Sequence, residues 1–143
     1  MTVKSMLDRK GRNVVTVQLD ASLTDALLLL AQKDIGALVV VDGSQAIRGI
    51  LSERDIVRLL ARRGAEALAS PVSGSMTTRV LVCHEQDTVN QVMEVMTNHR
   101  IRHLPVERDG RLEGIISIGD VVRQRIEDVE REAEEIRNYI ATA

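Results

Sequence analysis

Aromatic side chains are almost missing from this chain: it has no Phe and no Trp, and Tyr139, near the C-terminus, is alone. Any core must therefore be aliphatic, built from Val, Ile, Leu, Met and Ala. The stacking platforms used by single-strand nucleic-acid binders are missing too. A planar ligand base would have to lie between aliphatic side chains and draw its specificity from backbone groups. Cysteine is equally scarce. Cys83 stands by itself, which excludes an internal disulfide and a cysteine metal cage and agrees with a reducing compartment. We read it as a small core residue. No apolar run approaches the roughly 18 residues that span a bilayer, and Met1-Thr2-Val3-Lys4-Ser5 lacks the apolar stretch of a secretory signal. The expectation is a cytoplasmic protein with no membrane partner. A formal net charge of −2 supplies no broad basic field, so no nucleic-acid partner is expected either. Phosphate loops of the Gly-x-Gly-x-x-Gly or Gly-x-x-x-x-Gly-Lys-Ser type are absent, as is any Ser-His-Asp arrangement. His84 and His99 have no partners at metal-ligand or nucleophile-base spacing. These absences predict a protein without catalysis and without a metal.

What the chain does have is a repeat. Gly49-Ile50-Leu51-Ser52-Glu53-Arg54-Asp55 returns as Gly114-Ile115-Ile116-Ser117-Ile118-Gly119-Asp120, and Val14, Ile35, Leu38 and Val40 return as Val80, Ile101, Leu104 and Val106. The first set is offset by 65 (114 − 49) and the second by 66 (80 − 14), so one residue is lost at the turn Asp42-Gly43-Ser44-Gln45 versus Arg108-Asp109-Gly110-Arg111. Surface hairpins tolerate such a loss. With 143 residues, 44% hydrophobic, the chain can bury one modest core, and each repeat alone would be marginal.

Each repeat reads as strand, helix, strand, strand, helix. Val14 to Val17 is short and β-branched. Ser22 with Asp25 caps a helix bearing Leu23, Ala26, Leu27 and Leu30, and Thr88 with Gln91 does the same before Val89, Val92, Met93 and Met96. Strands are expected at 37–41 and 47–51, and again at 104–107 and 112–117, each pair around a Gly-containing turn. Pro105 should lie at a strand edge or start. Residues 63–79 form the connection, and Val3 to Arg9 a short helix stopped by Gly11. In the last helix, Val122, Ile126, Val129, Ala133, Ile136 and Ile140 are spaced by 4, 3, 4, 3 and 4 amid charge. That narrow heptad seam suits pairing with a second subunit, the alternative being packing against its own domain.

Chemistry, if any, centres on Asp55 and Asp120, each three residues after a Ser at a helix start. Free helix amides and the Ser hydroxyl suit an anionic or hydroxyl-rich ligand, and a carboxylate can accept two hydrogen bonds from a ribose diol. The same spacing also makes a capping box that binds nothing. Gly49 and Gly114 allow close backbone approach before each motif, and Arg54, Arg102 and His103 offer cationic donors.

With its repeated Gly-Ile-hydrophobic-Ser-x-x-Asp, its capped helices and the string Ile-Arg-His-Leu-Pro-Val at 101–106, the sequence resembles the cystathionine-β-synthase (CBS) domain family. It looks like a stand-alone tandem pair covering about Val3 to Glu130. The resemblance implies an α+β fold of two βαββα units packed sheet to sheet around a pseudo-twofold axis, with the long C-terminal helix added. The expected parts are 1–64 (first repeat), 65–79 (connection), 80–130 (second repeat) and 131–143 (helical extension). The resemblance further implies two clefts for adenosine-containing ligands. Asp55 and Asp120 would hold the ribose, and Ser52 and Ser117 would contact ribose or phosphate. Adenine would lie against Val14 and Val15 or Val80 and Leu81, and against Ile35 or Ile101; phosphates would point toward Arg54, Arg102 and His103. The repeats differ here: Gly36-Ala37 stands where the second has Arg102-His103, and Gly119 where the first has Arg54. Unequal clefts are expected, with Ala37 and Gly119 on the uncharged sides. AMP and NAD(H) lead as ligands, with ATP and S-adenosylmethionine behind them. The resulting expectation is a homodimeric, non-catalytic sensor acting on an unknown partner; the alternative is a structural oligomerisation module with vestigial clefts.

Overall fold

In the computed structural model, which describes residues 1–142, the order is α1 (Val3–Lys10), β1 (Thr16–Gln18), α2 (Leu23–Lys33), β2 (Ala37–Val41), β3 (Ile47–Ser52) and α3 (Glu53–Arg63). Two short 3-10 turns follow at Ala65–Ala69 and Val72–Gly74, then α4 (Val89–His99), β4 (His103–Arg108), β5 (Arg111–Ser117) and α5 (Ile118–Thr142). The last residue of the 131–143 extension lies outside the described residues. The fold is α+β, with a small sheet and helices in each repeat and a C-terminal helix added. The chain divides into two units.

One unit holds Asn13–Val82 with Glu107–Glu113. Its sheet has the order β1-β2-β3, with β1 parallel to β2 and β2 antiparallel to β3. Strand β2 reads Ala-Leu-Val-Val-Val and is buried throughout, as an apolar run covered on both faces should be. Leu23, Ala26 and Leu30 of α2 and Ile56 of α3 join Leu38, Val40, Leu51 and Val72 in one core. Each such fully buried aliphatic side chain stabilises the unit by about 1.5–3 kcal/mol. The β2–β3 turn is organised by Asp42, whose Oδ1 accepts from the Ser44 amide (2.9 Å), the Ser44 hydroxyl (2.6 Å) and the Ala46 amide (3.2 Å). These bonds come first among the causes that hold its carboxyl at about 2, below the ordinary carboxylate range.

The other unit holds Met1–Arg12, Cys83–Val106 and the residues from Gly114 on. Strands β4 and β5 make a two-stranded sheet that begins and ends in this unit, and the turn between them, Asp109-Gly110, which belongs to the first unit, has φ of 51° and 77°. Two positive φ values in a two-residue loop fit a type I′ turn, which explains why this hairpin is shorter than the first. Val3, Met6 and Leu7 of α1 pack with Cys83, Val92, Met96, Leu104, Ile116 and Val121. Burial, with the nearby Asp87 charge second, pushes the Cys83 thiol up to about 12, so it stays protonated and behaves as a small apolar core group.

The expected first strand of the second repeat is not formed. Residues 80–82 have no ladder, and only an isolated parallel bridge, Cys83 with Val106, stands where β1 pairs with β2 over Thr16–Val39, Val17–Val40 and Gln18–Val41. Pro105 supplies the reason. Its carbonyl accepts from the Cys83 amide at 2.9 Å, but its ring nitrogen has no proton to give back on that side. Val14 and Val15 likewise precede β1, which starts at Thr16.

Candidate functional site

Both Ser-x-x-Asp motifs open helices as the sequence predicts, and in both the aspartate closes a reciprocal cap. The Ser52 amide donates to Asp55 Oδ2 at 2.9 Å, and the Asp55 amide donates to Ser52 Oγ at 3.3 Å. In the second motif the Ser117 amide (2.9 Å) and hydroxyl (3.0 Å) donate to Asp120 Oδ2, while the Asp120 amide donates to Ser117 Oγ at 3.2 Å. The strand before each helix is fixed by the same tie: Glu53 amide to Gly36 carbonyl, 3.0 Å, and Ile118 amide to Arg102 carbonyl, 2.8 Å. In each motif the cap bonds use Oδ2, and Oδ1 accepts no hydrogen bond from a described residue.

Beyond the cap, the two sites differ. Lys10, at the end of α1, donates from Nζ to Asp120 Oδ2 at 2.6 Å and to the Ile115 carbonyl at 3.0 Å. Burial raises the Asp120 pKa, but the bond from Lys10 and then those from Ser117 outweigh it, so the net shift is downward. A cavity of about 150 Å³ lies there, lined by Met6, Arg9, Lys10, Asp120, Arg123 and Gln124. Arg9 is held by Gln124 at 3.0 Å and by Glu127, and the other cations lining this cavity are Lys10, paired with Asp120, and Arg123, whose charge also acts on Glu127. Sequence reasoning missed them, because Lys10 and Asp120 are 110 residues apart and the first repeat has no counterpart of this pair. Among the described residues no cation pairs with Asp55; a groove of about 260 Å³ nearby is lined by Leu27, Leu30, Ala31, Asp34, Ile35, Gly36 and Glu53.

The first unit holds Val14, Val15, Ile35, Ala37, Ser52, Arg54 and Asp55 together, with Ala37 opposite Ser52 in the β2–β3 ladder and Arg54 exposed. The second holds Ile101, Arg102, His103, Ser117, Gly119 and Asp120, with Arg102 and Gly119 exposed and His103 half-buried at the start of β4. Val80 and Leu81 belong to the first unit, Val80 half-buried and Leu81 exposed. The motif glycines meet the protein itself. A Cβ on Gly49 would stand 2.8 Å from Met76 Cγ and 3.0 Å from the Thr77 carbonyl, and one on Gly114 would stand 2.7 Å from Leu7 Cδ2. Close backbone approach is required, as the sequence suggests, but by the segments leading into each repeat. Among the described residues no group of three or more His, Cys, Asp or Glu is arranged to hold a metal, and no helix is long and apolar enough to cross a membrane.

Against known families, the model described as "CBS domain" matches at residues 4–62 and 70–127. Among solved structures, a CBS-domain containing protein of Agrobacterium tumefaciens is 51% identical with a TM-score of 0.84, covering 87% of this chain and 92% of that one. The "CBS domain-containing protein CBSX3, mitochondrial" of Arabidopsis thaliana is 32% identical over 97% of this chain and 71% of its own length. The CBS domain pair of protein MJ0100, solved in complex with 5-methylthioadenosine and S-adenosyl-L-methionine, is 26% identical with a TM-score of 0.80, covering 90% of this chain and 98% of that one.

Proposed function

The chain belongs to the CBS-domain family, and from that premise we propose that it is a non-catalytic regulatory module that binds an adenosine-containing ligand, AMP or NAD(H), at its Ser-x-x-Asp motifs. The observation that carries the reading is the free Oδ1 on both Asp55 and Asp120, beside a helix start whose cap uses Oδ2. The MJ0100 pair, solved with two adenosine compounds, supports the same ligand class. Ser52 and Ser117 lie within reach of a ribose or phosphate. Val14, Val15 and Ile35 give the first motif an aliphatic slot for adenine, as a chain without Phe or Trp requires, and Ile101 gives the second an aliphatic wall. Arg54, Arg102 and His103 take the phosphates, so the sites, with Ala37 and Gly119 on their uncharged sides, differ in affinity. ATP and S-adenosylmethionine rank behind. The module works in the cytoplasm as a homodimer and alters a separate protein's activity by favouring one conformation when liganded.

A second reading, a structural module with vestigial clefts, is favoured by one observation: Asp120 is already occupied by a cap and by Lys10. Calorimetry with AMP, NADH, ATP and S-adenosylmethionine separates the two. Asp120→Asn keeps an acceptor for the Ser117 amide but loses the charge, and should weaken ribose binding by about 1.5–3 kcal/mol. That is roughly 10- to 150-fold in Kd. No heat and no thermal shift at millimolar ligand on the wild type would leave the structural module.

A further inference from the structure

Helix α5 turns the wrong face to the protein. Its buried residues are Val121, Gln124 and Asp128, two of them polar, tied by Arg9 to Gln124 (3.0 Å), Gln124 to Asp128 (3.0 Å) and Arg131 to Asp128 (3.0 Å). The apolar seam is left in solvent: Val122, Ile126, Val129, Ile136 and Ile140 are between 47% and 68% exposed. Beyond Asp128 no residue of α5 is buried. Helical stability in proteins comes mostly from packing of an apolar face, and this stretch has no such packing within its own chain's described residues. At its near end the seam opens into an apolar hollow of about 580 Å³, lined by Ile118, Val122 and Ile126 among others.

The charges beside the seam say what fits it. With Ile126, Ala133 and Ile140 at heptad position a and Val122, Val129 and Ile136 at d, position e holds Arg123, Glu130 and Arg137, and g holds Arg125, Glu132 and Tyr139. In a parallel pair, each g faces the e of the next heptad on the other helix. Arg125 then meets a second chain's Glu130, Glu132 meets its Arg137, and symmetry doubles both contacts. Run antiparallel at full overlap, Val122 against Ile140, the same helices set Arg123 on Arg137, Glu130 on Glu130 and Glu132 on Glu132. Sliding them by a heptad to relieve that repulsion uncovers one end of the seam, either Ile136 and Ile140 or Val122 and Ile126. The side chains of Arg125, Glu130 and Glu132 make no hydrogen bond or ion pair with a described residue of their own chain.

We propose that α5 is a homotypic docking helix that binds the α5 of a second copy of this chain, parallel and in register, with Arg125–Glu130 and Glu132–Arg137 pairs setting the orientation. This rests on the homodimer reading and adds direction and register to it. The test uses the full chain. Wild type, whose one cysteine is buried, is the control for Ile136→Cys, which under mild oxidation should form a disulfide-linked dimer by itself. In sedimentation, Arg125→Glu should weaken association on the order of tenfold, two attractions becoming two repulsions, and Arg125→Glu/Glu130→Arg should restore it. A wild-type monomer would remove both the homodimer reading and this one. A dimer in which Ile136→Cys fails to link to itself but links to Ile126→Cys would remove only the parallel arrangement.

Discussion

The two motif carboxylates are the same device under different loads. Asp55 and Asp120 close the same cap on the same kind of helix start, yet Asp120 also takes a lysine from α1 and Asp55 takes none from the described residues. The glycines before them follow suit: Gly49 is crowded by a methionine and by backbone, Gly114 by a leucine side chain. An internal repeat thus conserves the local frame, which a few adjacent residues determine. What is delivered to that frame comes from lead-in segments that differ: Lys10 and Leu7 in one unit, Met76 and Thr77 in the other.

The largest effect is expected where backbone is in the way. Gly49→Ala must push Met76 aside and presses on the Thr77 carbonyl, which is fixed by bonds between Ile50 and Thr77 at 3.0 and 2.9 Å. Overpacking of this kind costs about 1–3 kcal/mol, and urea unfolding should put Gly49→Ala near the top of that range. Gly114→Ala meets the Leu7 side chain and no backbone, and should cost less. Equal losses would show that the two lead-ins are held equally tightly.

A smaller effect is expected from Lys10→Met, which makes Asp120 resemble Asp55. The lysine side chain is a third exposed (32%) and solvent screens the pair, so the loss at neutral pH should be roughly 0.5–1 kcal/mol. Its pH dependence has a definite sign. The folded pKa of Asp120 lies below its unfolded value, so the stabilisation is present above the ordinary Asp range, near 3.9, and is lost as pH falls through the folded pKa. Wild type and Lys10→Met should therefore converge in acid; a difference that stayed constant with pH would assign the loss to packing of the lysine stem.

The smallest effect should come from the hairpins. Asp42 organises the first turn through its side chain, whereas Asp109-Gly110 does so through backbone angles. Asp42→Ala should lower the melting temperature modestly. With its carboxyl held at about 2, the wild-type advantage should persist from neutral pH down to the ordinary Asp range, near 3.9, and vanish between there and about 2. No acid dependence would mean that the Ser44 and Ala46 bonds add nothing.

Local features were legible in the sequence because their causes are local. The caps at Ser22, Ser52, Thr88 and Ser117, the buried run of β2, the Asp109-Gly110 turn and the stop at Gly11 each follow from a few neighbouring residues. The ladder before Cys83 failed for a reason that was visible but undervalued, since Pro105 removes the donor that a parallel neighbour would need. Lys10 on Asp120 was out of reach, because nothing near either residue in the sequence names the other. The seam on α5 was readable as period and charge. That the helix would bury Gln124 and Asp128 on its other face was not, because it depends on Arg9 arriving from α1.

The one tyrosine of a chain without Phe or Trp, Tyr139, sits well exposed on α5, far along the helix from its last buried residue. Tyrosine emission is therefore a beacon for that helix and for nothing else, while both aliphatic interiors are optically dark. A fluorescence titration would watch tail association directly, and the absorbance of an added purine could be followed against an almost blank protein background.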